Sequence, residues 1–96
     1  MAIEIATFRL RDDADESAFL AADERVQKEF FYARTGIVRR TTARSSDGDW
    51  LVVTMWGSEE EAAAAAEAAP SDPVHVAFMA HVDPESYTVK RFVSLD

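Results

Sequence analysis

Two histidines are the side chains of this sequence best suited to moving protons. A neutral imidazole accepts a proton near pH 7, and we predict that His81 acts as a general base or hydrogen-bond partner beside an apolar pocket. The alternative for His81 is a partly exposed residue at a helix end. His75 lies near the start of the same short helix and is predicted to be a surface residue. Apart from Asp83 there is no third donor with suitable spacing, so no metal site is predicted.

Three further side chains are candidates for binding an organic molecule. Trp56 and Phe78 are predicted to wall a pocket for an aromatic ligand, because small-molecule pockets are lined mainly by such side chains. The alternative is that both belong to the ordinary core. Thr7 is predicted to present a hydroxyl group to the ligand, or else to be an ordinary strand threonine. Together these residues indicate a site for a small aromatic molecule.

Charge and composition narrow the class of partner. The 96 residues carry 18 acidic and 10 basic side chains, and the formal net charge of −8 opposes binding to nucleic acid or to anionic membranes. No apolar run is long enough to span a bilayer and no secretory pattern opens the chain, so the expected compartment is the cytoplasm. There is no cysteine, which excludes disulfides and thiolate chemistry.

Most basic residues fall on predicted strands or at their ends. They can be interpreted as a strip that binds an anionic ligand. We favour the other interpretation, in which they are solvated or form salt bridges at the edge of a dimer. The seven residues are Arg9, Arg11, Arg39, Arg40, Arg44, Lys90 and Arg91.

The first half of the chain predicts a strand followed by a helix. Residues 1–11 alternate like a strand with two apolar faces, and a helix is predicted from about Asp15. Phe31 and Tyr32 lie off the apolar stripe of this helix, so they must meet a partner, a ligand or water. The stripe consists of Phe19, Ala22, Val26, Phe30 and Ala33.

The second half predicts a hairpin, further helices and a last strand. Strands are predicted over residues 37–44, 50–56 and 87–93, and the first two form a hairpin around an Asp-Gly turn. Ser58, with a glutamate three residues later, matches a capping box for an alanine-rich helix. Asp72 is predicted to cap a short further helix whose first residue is proline.

The order βαββαβ predicts a single α+β domain over residues 1–96 with a ferredoxin-like fold. Right-handed connections place the helices on one face of a four-stranded antiparallel sheet. The strands are apolar on both faces, so the second face must also be covered. We therefore predict a homodimer in which the sheet faces pair about a two-fold axis.

This layout resembles the dimeric α+β barrel superfamily over nearly the whole chain. The segment Trp56-Gly57-Ser58-Glu59-Glu60-Glu61-Ala62 is similar to the Trp-x-Ser-x-Glu pattern of its antibiotic-biosynthesis-monooxygenase-like branch, and the break at Ser71-Asp72-Pro73 follows it. The resemblance implies a pocket between the sheet and the helices of each subunit. Members of the branch include cofactor-independent oxygenases of polycyclic phenols or hydroquinones, haem-degrading monooxygenases and proteins without assigned activity.

The haem-degrading members use an asparagine on the first strand, a tryptophan late in the second helix and a histidine ligand in the short helix. Thr7, Ala68 and Phe78 stand at the matching positions, so the resemblance implies neither haem nor another cofactor. It favours a cofactor-independent monooxygenase acting on an aromatic or polyketide-like molecule. The alternatives are a non-catalytic dimeric binding or stress-response module, and an isomerase or lyase of small acidic metabolites with arginines inside its pocket.

Overall fold

The computed structural model describes residues 1–96 and confirms the predicted α+β, ferredoxin-like order of elements. Four strands form one antiparallel sheet in the order β2-β3-β1-β4. The strands are β1 (Ala2–Phe8), β2 (Ile37–Arg44), β3 (Trp50–Trp56) and β4 (Thr88–Val93). The helices are α1 (Glu16–Val26), α2 (Glu59–Ala68) and α3 (Pro73–Met79).

The first strand is shorter than its alternating pattern predicts. β1 ends at Phe8, and Leu10 forms only an isolated bridge with Val82. Beyond Phe8 the chain pairs with the segment after α3 and no longer with β4, because the amide of Asp83 donates to the carbonyl of Arg9 over 2.9 Å. This pairing ties the end of α3 to the sheet.

Burial alternates along the central strands and separates two faces of the sheet. On the face that packs against the helices, Phe8 of β1 lies opposite Trp50 of β3, and both are buried. On the other face Ile5 lies opposite Val53, and both remain partly exposed. The first face carries the hydrophobic core, which consists of Ala2, Ala6, Phe8, Phe19, Val26, Phe30, Trp50, Val52, Trp56, Ala62, Ala65, Ala69, Phe78 and Val82.

The first helix changes its winding near its end. After α1 the chain continues as a π-helical segment, Gln27–Phe31, in which the amide of Tyr32 donates to the carbonyl of Gln27 over 2.9 Å. A π turn contains an extra residue and so rotates the side chains that follow it. The rotation explains why Phe31 packs beside the buried Phe30, although it lies off the apolar stripe of a regular α-helix.

Both predicted helix caps are confirmed. The hydroxyl oxygen of Ser58 accepts a hydrogen bond from the amide of Glu61 at the start of α2. The carboxylate of Asp72 accepts from the amides of Val74 and His75 at the start of α3, over 2.9 and 3.0 Å. The second cap orients the first turn of α3, and with it the side chain of His75.

Candidate functional site

A cavity of about 490 Å³ lies between the helix-facing side of the sheet and the helices. Its volume is within the range of pockets that bind small organic molecules. Its walls are mainly hydrophobic, and the aromatic side chains among them are Phe8, Phe30, Phe31, Phe78 and Tyr87. Such a lining suits a planar aromatic ligand.

The cavity exists because small side chains face each other across it. Ala65 and Ala66 of α2 and Ala69 of the following 3₁₀ turn line one wall. Ala6 of β1 and Val52 of β3 line the sheet opposite them. Alanine favours the helix and fills little space, so the alanine-rich sequence of α2 both builds the wall and leaves the interior open.

His75 is the histidine that faces this cavity. Its ring centroid lies 5.2 Å from that of Phe30, 5.9 Å from that of Phe31 and 6.2 Å from that of Phe78. Burial lowers the pKa of His75, the positive charge of Arg40 lowers it further, and Asp72 opposes both effects. At neutral pH the imidazole is therefore uncharged, and an uncharged imidazole is the form that can accept a proton.

Arg40 of β2 brings a positive charge to the same cavity. Its side chain is 1% exposed and pairs with Asp23 of α1 over 2.9 Å. It also donates to the side chains of Gln27 over 3.2 Å and Thr42 over 3.3 Å. Burial lowers the pKa of Arg40 while Asp23 opposes the shift, and a guanidinium keeps its charge at physiological pH. The arginine was predicted as part of a solvated strip, and the structure corrects that interpretation.

Glu4 and Tyr87 complete the polar part of the cavity wall. The carboxylate of Glu4 accepts from the indole nitrogen of Trp56 over 3.1 Å and from Arg91 over 3.2 Å. Burial raises the pKa of Tyr87, the charge of Glu4 raises it further, and Arg40 opposes both. Tyr87 is therefore a neutral hydroxyl at neutral pH.

The structure separates the residues that were predicted to share the site. Phe78 lines the cavity. Trp56 is fully buried in the core and does not line the cavity, but its hydrogen bond orients Glu4, which does. Thr7 lies on the opposite face of the sheet, where its hydroxyl contacts that of Thr88 over 2.8 Å. The placement corrects the expectation that Thr7 lines the pocket, since alternate residues of a strand face opposite sides.

His81 does not face the cavity either. Its amide donates to the carbonyl of Phe78 over 3.2 Å and its carbonyl accepts from Arg11 over 3.0 Å, so its backbone closes the turn after α3. Its ring lies 6.2 Å from Phe19, outside the residues that line the cavity. The sequence predicts that the short helix runs through Val82, whereas α3 ends at Met79 and the chain turns away. His75 occupies the position expected for His81.

Neither a membrane span nor a metal cluster is found among the described residues. No helix has the length and hydropathy needed to cross a bilayer. No three His, Cys, Asp or Glu side chains are grouped so that they could hold a metal ion.

Fold and cavity together define a class of structure: a ferredoxin-like α+β protein with a mainly hydrophobic cavity between the sheet and the helices. Within that class, the chain shares its fold with solved structures of a cofactor-independent oxygenase and of antibiotic biosynthesis monooxygenases. The comparisons that show this are with solved structures. No family model matches the chain, and no curated protein matches it in sequence.

Three solved structures illustrate the similarity. SnoaB, a cofactor-independent oxygenase from Streptomyces nogalater, superposes with a TM-score of 0.81 at 18% identity, over 99% of this chain and 93% of SnoaB. Rv0793 from Mycobacterium tuberculosis gives a TM-score of 0.72 at 18% identity, over 99% of this chain and 95% of its own. An antibiotic biosynthesis monooxygenase gives 0.74 at 13% identity over the full length of both chains.

Proposed function

We propose that this protein is a cofactor-independent monooxygenase of an aromatic small molecule. The observation that carries the proposal is His75, a histidine whose pKa is lowered by burial and by Arg40, on the wall of an aromatic cavity of about 490 Å³. A neutral imidazole in an apolar cavity can take a proton from an acidic C–H or O–H group of a bound ligand. The fold shared with the oxygenase SnoaB supports the same reaction class.

The proposed reaction uses the ligand itself as the reductant and dioxygen as the oxidant. His75 removes a proton from an activated CH₂ group, and the resulting anion transfers electrons to O₂ and forms a carbon–oxygen bond. The hydroperoxide so formed loses water, which leaves a carbonyl group. One oxygen atom enters the product and the other leaves as water, so R₂CH₂ and O₂ give R₂C=O and H₂O.

The residues of the cavity have separate tasks in this proposal. Phe78, Phe30 and Phe31 hold the aromatic rings of the ligand and exclude water. His75 moves the proton, and Asp72 orients the turn that carries it. The roles proposed from the sequence for His81 and Thr7 pass to His75 and Arg40, which line the cavity.

Anthrone is a suitable probe, because its activated methylene is oxidised to the carbonyl of anthraquinone. We expect the protein to accelerate oxygen uptake and anthraquinone formation, and His75→Gln to lower kcat by about 100-fold. His81→Gln is the matched control and should keep the activity of the natural sequence. Equal activity of the natural protein and His75→Gln would exclude His75 as the base, and a loss in His81→Gln alone would restore the prediction made from the sequence.

Two alternatives remain distinct from this proposal. A non-catalytic binding or stress-response module would bind the aromatic probe without oxygen uptake. Arg40 inside the cavity is the feature expected of an isomerase or lyase of small acidic metabolites, but its charge is already matched by Asp23 and most of the wall is hydrophobic. These features favour an aromatic ligand over a small, highly charged one.

We also propose that two copies pair through the face of the sheet that the helices leave open. Ile3, Ile5, Val53 and Met55 of the central strands lie on this face and are partly exposed. Phe92 of β4, opposite Ile3, is 43% exposed. Leaving such apolar area in water costs about 25 cal/mol per Å², and a second copy covers it with an identical surface.

A further inference from the structure

Polar side chains form one row across the floor of the cavity, on the face of the sheet that packs against the helices. The strand register places Thr54 of β3 between Arg40 of β2 and Glu4 of β1. Glu4 in turn lies beside Arg91 of β4. We call these four residues the polar row. Three of them, Arg40, Thr54 and Glu4, line the cavity.

The polar row lies at one end of the cavity floor. On one side of it, Ala2 and Trp56 are fully buried and do not line the cavity. On its other side the next row is apolar and lines the cavity with Val52, Ala6 and Val89. The floor therefore offers hydrogen-bonding groups at one end and a hydrophobic surface over the rest.

The charged members of the polar row already have partners of opposite charge within the chain. The guanidinium of Arg40 pairs with Asp23 over 2.9 Å. The carboxylate of Glu4 accepts from the indole nitrogen of Trp56 over 3.1 Å and pairs with Arg91 over 3.2 Å. The polar row therefore needs no charged ligand to balance it.

Thr54 is the member of the polar row without a partner. The residue is 4% exposed, and no group of the chain forms a hydrogen bond with its hydroxyl. The only unpaired side-chain atom that is completely enclosed is Nε of Arg40, so the hydroxyl of Thr54 still reaches the open space of the cavity. Buried hydroxyls of native proteins are nearly always paired. An unpaired hydroxyl on a cavity floor is therefore a position where a ligand atom is expected.

We propose that the hydroxyl of Thr54 donates a hydrogen bond to an acceptor atom of the bound ligand, and that this bond fixes which end of the ligand lies against the polar row. The inference rests on the proposed function, to which it adds a residue that binds the substrate and determines its orientation. The rest of the ligand then lies over Val52 and Ala6, between the aromatic walls of the cavity.

The neighbours of Thr54 determine the direction of this hydrogen bond. The terminal nitrogens of Arg40 are engaged by protein acceptors, and the carboxylate of Glu4 can only accept. The O–H of Thr54 is thus the free donor of the floor, whereas a donor group of a ligand would find acceptors at Glu4 as well. A ligand acceptor is therefore directed to Thr54 in particular.

The aromatic ketone fluorenone tests this role, because its carbonyl oxygen is an acceptor, and fluorene is the matched ligand without one. Both are titrated in the absence of oxygen, so that no turnover occurs. Thr54→Val replaces the hydroxyl by a methyl group of similar shape. We expect it to lower the ratio of the fluorenone affinity to the fluorene affinity about fivefold, which corresponds to one hydrogen bond between neutral groups.

Two further variants separate the hydroxyl from the shape of the side chain. Thr54→Ser keeps the hydroxyl and should keep the affinity ratio of the natural protein. Thr7→Val removes a hydroxyl from the opposite face of the sheet and should also keep it. Thr54→Val should be at least as stable to denaturation as the natural protein, because it removes a buried hydroxyl that has no partner in the fold.

Infrared spectroscopy reports the hydrogen bond itself. The carbonyl stretching band of fluorenone should move to lower wavenumber in the natural protein than in an apolar solvent, and should return towards the solvent position in Thr54→Val. If Thr54→Val fails to fold, the comparison of the natural protein with the apolar solvent decides the question alone.

Four results would overturn the proposal: an unchanged affinity ratio in Thr54→Val, a ratio in Thr54→Ser as low as in Thr54→Val, a carbonyl band at its apolar-solvent position in the natural protein, or no binding of fluorenone. A ratio that depends on Thr54 without oxidation of anthrone would uphold Thr54 and reject the oxygenase. Oxidation of anthrone with an unchanged ratio would reject Thr54 alone.

Discussion

Arg40 and Asp23 form an ion pair of 2.9 Å between side chains that are 1% and 13% exposed. The pair joins the edge strand β2 to α1 across one side of the cavity. In contrast, Lys28 and Glu24 form a pair of 2.7 Å on the outer surface of the same helical region, where their side chains are 70% and 67% exposed. Two ion pairs of similar length therefore differ mainly in their exposure to water.

Asp23→Ala should destabilise the fold by about 3–5 kcal/mol, because it leaves the charge of Arg40 buried without a partner. Chemical denaturation measures this change. Glu24→Ala is the matched control and should leave the denaturation midpoint almost unchanged, because water screens its pair. The double variant Asp23→Leu/Arg40→Met should lose less stability than Asp23→Ala alone. If Glu24→Ala lost as much stability as Asp23→Ala, burial would not be what distinguishes the two ion pairs.

Protonation of His75 should lower the stability of the fold in mild acid. Burial and Arg40 lower its pKa below the ordinary value of 6.5, so the unfolded chain binds the proton more readily than the folded one. Protonation therefore favours unfolding as the pH falls through about 6.5, and the loss ends once the pH is below the folded-state pKa. Thermal unfolding of His75→Gln should depend less on pH in this window than that of the natural protein. Identical slopes would contradict the burial of His75.

Filling the cavity should remove ligand binding and leave the fold intact. Ala69 is nearly buried and lines the cavity, so the larger side chain of Ala69→Leu occupies space that the ligand needs. We expect the affinity for fluorenone to fall about tenfold or more, as measured by equilibrium titration. Ala63→Leu, on the exposed side of α2, is the control and should bind normally. Unchanged binding in Ala69→Leu would place the ligand elsewhere.

A charge on the open face of the sheet should separate the proposed dimer. Val53 lies at the centre of that face, opposite Ile5, and Val53→Asp would bury a carboxylate in the interface. Light scattering should show a dimer for the natural protein and a monomer for this variant. Ala63→Asp adds the same charge on the outer side of α2 and should remain dimeric. A monomeric natural protein would reject the pairing itself.

Two glycines should respond differently to replacement by alanine. Gly36 (φ +90°) and Gly48 (φ +87°) both adopt a backbone conformation that disfavours a side chain. Gly48→Ala should lower the free energy of unfolding by about 1–2 kcal/mol through backbone strain alone, since nothing lies within 4 Å of the added carbon. Gly36→Ala should lower the free energy of unfolding by more than this, because the added carbon clashes with the carboxylate of Glu61. Equal losses in denaturation would show that the carboxylate moves away freely.

Local patterns account for the parts of this protein that the sequence predicts well. The caps at Ser58 and Asp72 involve residues two or three positions apart, and the structure contains both. The alternation of β3 and the hairpin also depend on near neighbours. Because such interactions are formed within a few residues, the order of elements and the ferredoxin-like fold can be predicted from one sequence.

The site required information that local patterns do not contain. Thr7 and Phe8 both suit a strand, but only the packing of the helices decides which of the two faces the cavity. His75 and His81 both lie three residues from Phe78, and the end of α3 at Met79 decides between them. Arg40 could not be recognised as a cavity residue until α1 placed Asp23 beside it.

The sequence by itself determined the elements, their caps and two apolar faces of one sheet, since these follow from propensity and periodicity. Only the tertiary structure decided that His75 and Arg40 line one cavity while Thr7 and His81 lie outside it. The physical reason is that a strand and a helix each present several faces, and long-range packing selects the face that is enclosed. Burial then alters the pKa of His75 and leaves the Nε donor of Arg40 unpaired.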